Sequence, residues 1–108
     1  MIKFYRTDHK VLSEITEYED NMWVCMTKPT VDETKLIAED FEIDLADVRA
    51  ALDDEESSRV EVEDGYTLIL VDIPSIEMRN EREAYTTIPL GIILVKDILI
   101  TVCAEDTP

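Results

Sequence analysis

Two glycines, one histidine and two cysteines are all that 108 residues offer of three residue types on which many active sites depend. Two glycines cannot build a Gly-x-Gly-x-x-Gly turn or a Walker loop, so the common backbone cradles for phosphate are excluded. The one histidine, His9, falls in the predicted turn Thr7-Asp8-His9-Lys10, which leaves a Ser-His-Asp or Cys-His relay without an anchor. Cys25 and Cys103 each sit in an apolar, strand-like run and have no close Cys or His companion. That excludes a zinc site of ordinary spacing. It favours buried, reduced thiols in a cytosolic protein over a disulfide framework. An enzyme is therefore not expected.

Basic side chains are scarce as well: 10 Lys and Arg stand against 26 Asp and Glu, for a net charge of −16 and a pI near 4.1. Such a surface repels phosphate backbones and anionic lipid headgroups, so no nucleic-acid partner is expected. It suits cations, a basic protein partner or plain solubility. Long uncharged runs are missing too. The most apolar stretch, Ile88 to Ala104, carries Lys96 and Asp97 near its middle, at about 2.5–3.5 kcal/mol each inside a bilayer. A water-exposed turn accounts for the same pair without penalty, so no membrane span is expected. Met-Ile-Lys-Phe-Tyr-Arg at the N-terminus lacks the apolar centre of a signal peptide.

What the chain does have is strand. Thr86 to Val102 consists of two β-branched, apolar runs on either side of Lys96-Asp97, the pattern of two buried strands and a tight turn. Val60-Glu61-Val62-Glu63 alternates, with the valines predicted inward. Asp64-Gly65 has type I′ turn chemistry, and Tyr66 to Ile73 returns. Thr67 to Val71 is apolar enough to predict a central strand covered on both faces. Pro74 is expected to stop it, and Ser75 to Glu83 to be an exposed, mixed-charge connection. Nearer the N-terminus, Met1 to Tyr5 and Val11 to Thr16 read as a hairpin, and Asn21 to Thr27 as a third strand ended by Pro29.

Thr30-Val31-Asp32-Glu33 is a capping box. Behind it Val31, Thr34, Ile37, Ala38 and Phe41 share one helical face. Asp44 can cap a second, shorter helix that buries Leu45, Val48, Ala51 and Leu52. The fold class is therefore α+β: a mixed, mostly antiparallel sheet of about six to seven strands, with an αα-hairpin over one face. The expectation is one domain, 1–108, with strands in 1–27, the helical hairpin in 30–52 and strands in 58–103. Two helices can shield one face of so apolar a sheet, not both. Helices from further along a longer chain, or another subunit, are expected on the other. Divalent-cation binding is the most credible chemistry, since magnesium takes a few carboxylates and keeps part of its water shell. The candidate acids are Asp53 to Glu56, Asp72, Glu77, Glu81 and Glu83.

From about Trp23 to Val102 the chain resembles the N-terminal cytoplasmic domain of CorA-type magnesium transporters. The resemblance rests on Trp23-Val24 followed by Pro29-Thr30 and a capped helix, and on Leu52-Asp53-Asp54-Glu55-Glu56-Ser57-Ser58-Arg59-Val60-Glu61. It continues through Gly65-Tyr66-Thr67-Leu68-Ile69-Leu70-Val71-Asp72-Ile73-Pro74 to Thr86-Thr87-Ile88-Pro89-Leu90-Gly91-Ile92-Ile93-Leu94, and ends with Ile100-Thr101-Val102. The family's stalk helix, its two membrane helices and its Gly-Met-Asn signature lie beyond these residues. The resemblance thus implies a regulatory and assembly domain, soluble on the cytoplasmic side of the membrane, that cannot transport an ion alone. It also implies a homo-oligomer, a pentamer in the family, joined to its own membrane domain and responsive to intracellular Mg2+. Ungapped counting from Tyr66 brings Glu77 nearest the acid that serves an inter-subunit metal site in that family. The alternative is a free-standing acidic domain that binds a basic partner.

Overall fold

In the computed structural model the described residues are 1–8, 10–53, 58–79 and 82–104, with only the backbone described at 8, 75–79 and 82–86. The strands are β1 (Ile2–Asp8), β2 (Val11–Ile15), β3 (Met22–Thr27), β4 (Arg59–Glu63), β5 (Tyr66–Arg79), β6 (Arg82–Val95) and β7 (Ile98–Cys103). Between β3 and β4 lie α1 (Val31–Asp40), α2 (Leu45–Val48) and a 3-10 turn, Ala50–Leu52. All seven strands form one sheet in the order β2-β1-β3-β7-β6-β5-β4. β3 and β7 run parallel, and every other neighbouring pair is antiparallel. This is the mixed, mostly antiparallel α+β sheet that the apolar patterning predicts. The predicted turns fall at positive φ: Lys10 at 68°, Gly65 at 93° and Lys96 at 52°.

The capping box closes as its residue types require. The Glu33 amide donates to Thr30 Oγ1 at 3.1 Å, and the Thr30 amide donates to Glu33 Oε1 at 2.8 Å. The Met1 ammonium reaches the same oxygen at 2.9 Å. The Thr30 amide first, and then that ammonium, hold the Glu33 carboxyl below its ordinary pKa of 4.5. Because the folded value is the depressed one, this contribution is complete above 4.5 and is lost as the pH falls through the lowered value. Thr34, Ile37 and Ala38 are buried. Val31, predicted on the same face, is 52% exposed, so the buried stripe begins one turn later.

The register explains where the core sits. On the helical side one row crosses the sheet as Phe4, Val24, Ile100, Ile93 and Leu68. A second row runs Ile2, Met26, Val102, Gly91 and Leu70. From Val24 to Leu68, and from Met26 to Leu70, every member is buried. Ile37, Ala38, Val48, Ala50 and Ala51 belong to the same apolar cluster. Gly91 lets the 3-10 turn come close: a Cβ there would stand 3.2 Å from Ala51 Cβ.

Three expectations are corrected. Val60 and Val62 do not point inward. They are 65% and 80% exposed, because the pairing with Ile69 and Thr67 puts them on the face away from the helices. For the same reason β5 is not covered on both sides: Leu68 and Leu70 are buried, while Thr67, Ile69 and Val71 are only half-buried. Pro74 does not end β5, which pairs with β6 as far as Arg79 opposite Arg82. β4 stops opposite Leu70, so from Val71 onward that edge of β5 has no partner strand among the described residues. Pro89 likewise lies one residue beyond the last β6–β7 pair, Leu90 with Cys103. A proline whose nitrogen faces an unpaired edge removes no ladder hydrogen bond. The predicted connection from Ser75 is therefore ladder on either side of residues 80 and 81.

Candidate functional site

The acids singled out by sequence are not gathered into one place among the described residues. Glu77 lies in β5 opposite Ala84, and its side chain is outside the described residues, as is that of Glu83. Asp54, Glu55, Glu56 and Glu81 lie outside them entirely, as does His9. Asp53 is exposed, and Asp72, also exposed, accepts a hydrogen bond from Ser58 Oγ at 3.4 Å. Cys25 is half-buried, Cys103 is buried, and both thiols are free.

Three other carboxylates do converge. One oxygen each from Asp47, Glu61 and Glu63 can be chosen so that all lie within 4.8 Å of one another. The alternation of β4 places Glu61 and Glu63 on one face, two residues apart. Glu61 extends the buried row beyond Leu68, and Glu63 lies opposite Tyr66. That face is the helical one. Asp44 caps α2 by accepting from the Ala46 amide at 3.0 Å, which sets the helix so that Asp47, in its first turn, reaches the sheet edge. The even spacing of Glu61 and Glu63 was visible in the sequence. Nothing local could have said that a helix would bring Asp47 to them.

Two of the three carboxylates already have protein partners. The Tyr66 hydroxyl donates to Asp47 Oδ2 and accepts from the Asp44 amide at 3.3 Å, and Arg59 Nε donates to Glu61 Oε1 at 2.6 Å. Tyr66 thereby fastens α2 to the β4–β5 hairpin. Its pKa is pushed up to about 12, by burial first and by the Asp47 carboxylate second. Tyr18 is raised to about 12 in the same way, by burial and then by Asp40, to which its hydroxyl donates. The folded state favours both neutral hydroxyls, so this stabilisation is present below pH 10 and is lost as the pH rises toward 12. A hard cation such as magnesium takes one or two carboxylates with water, and the trio is chemically suited to that. The hydrogen bonds equally satisfy Asp47 and Glu61 with no ion. Tyr66→Phe is expected to cost about 1 kcal/mol in urea unfolding. A change below about 0.3 kcal/mol would show that this link does not hold α2 in place.

Comparison with known proteins places the chain as follows. The family model described as "CorA-like Mg2+ transporter protein" matches residues 18–108. No curated protein matches the chain. Among solved structures, the soluble domain of CorA from Methanocaldococcus jannaschii superposes with a TM-score of 0.78 at 23% identity, over 98% of this chain and 41% of that one. The complete CorA magnesium transporter from the same organism gives 0.73 at 19% identity, over 99% and 33%. The ZntB cytoplasmic domain from Vibrio parahaemolyticus gives 0.70 at 15% identity, over 97% and 44%. The chain thus spans about a third of the complete transporter and less than half of either soluble domain.

Proposed function

Since the chain belongs to the CorA-like Mg2+ transporter protein family, we propose that residues 1–108 form a single cytoplasmic domain of a divalent-cation transporter, where they sense intracellular Mg2+ and contribute to gating. The observation that carries this reading is the family match over residues 18–108, on a chain with the fold of a CorA soluble domain. No described helix is long and apolar enough to cross a membrane, so transport falls to a membrane domain of the full-length protein. The net charge of −16 supplies a physical route from magnesium to assembly. Strongly negative subunits held side by side repel one another, and divalent ions bridging their carboxylates remove that repulsion. Magnesium binding and the closed arrangement then stabilise each other reciprocally.

Glu77 is the proposed ligand at such a boundary. It lies nine residues along β5 from Leu68, the partner of Glu61, which at the rise of a strand is roughly 30 Å from the Asp47 trio. The two sets of acids are therefore separate. In the assembled full-length protein, Glu77→Ala is expected to raise the magnesium concentration needed for half-maximal thermal stabilisation on the order of tenfold, equivalent to about 1.4 kcal/mol. An unchanged titration would remove Glu77 from the mechanism.

The reading as a whole is tested by fractionating source cells and probing with an antibody raised against residues 1–108. A membrane-bound band much heavier than 12.4 kDa is the expected result. A soluble band near 12.4 kDa would overturn it and turn attention to basic protein partners.

A further inference from the structure

We draw no further inference here: the strongest candidate, the apolar sheet face that runs from Trp23 through Leu99 and Leu94 to the exposed Val62, lies opposite the helices, and nothing in the structure shows what covers it.

Discussion

Ile100→Ala is expected to lower the unfolding free energy by about 2–5 kcal/mol. Ile100 has no exposed surface and sits in β7 between Val24 of β3 and Ile93 of β6, both equally enclosed. Truncation removes three carbons from the middle of a row that cannot collapse, because hydrogen-bonded neighbours hold its backbone on both sides. The row also crosses the parallel β3–β7 pair, where the N-terminal strands meet the C-terminal hairpin. With a total stability of about 5–15 kcal/mol for a domain of this size, one substitution takes a large share. Urea unfolding of the purified chain measures it. A loss under 1 kcal/mol would mean that the helical face is loosely packed at its centre.

Gly91→Val is expected to cost about 1–3 kcal/mol, by overpacking rather than by cavity. The backbone at Gly91 is not at positive φ, so conformational freedom is not the reason for glycine. The reason is Ala51: an added Cβ would meet Ala51 Cβ at 3.2 Å and Val102 Cβ at 3.7 Å. Valine adds two methyl groups beyond that Cβ, and the 3-10 turn must move outward to admit them. The smaller Gly91→Ala isolates the contact when combined with Ala51→Gly. If the close approach is the cause, the pair should be less damaging than the sum of the single changes, as expected for side chains in contact. Strict additivity would place the strain elsewhere.

Most of the fold was legible because it is written in local chemistry. The capping box at Thr30, the Asp64-Gly65 turn and the Lys96-Asp97 break in an apolar run each name a boundary through a short-range interaction. Pro74 misled for a definable reason. A proline stops a strand only when its missing N–H is owed to a neighbour, and whether a neighbour is present depends on the length of β4. Val60 and Val62 misled in a related way. Alternation announces two faces but not which of them a helix will cover. The acid trio lay beyond local reading altogether, since Asp47 and Glu61 are separated by the α2–β4 connection and meet only when α2 docks.

Residue order and charge by themselves determined that this is an acidic α+β sheet protein, with its helices between the third and fourth strands. They also carried the resemblance to the transporter family, and they placed Glu77 as a candidate ligand. The sheet, the helices and the charge depend on periodicity, turn chemistry and composition, which act within a few residues, whereas Glu77 as a ligand is what the family resemblance implies. Only the tertiary structure decided that the valines of β4 face away from the helices, that β5 and β6 continue past their prolines, and that Asp47 meets Glu61 and Glu63. Each of these depends on which strand lies alongside which and on where a helix lands. Such outcomes are set by packing between segments far apart in the chain.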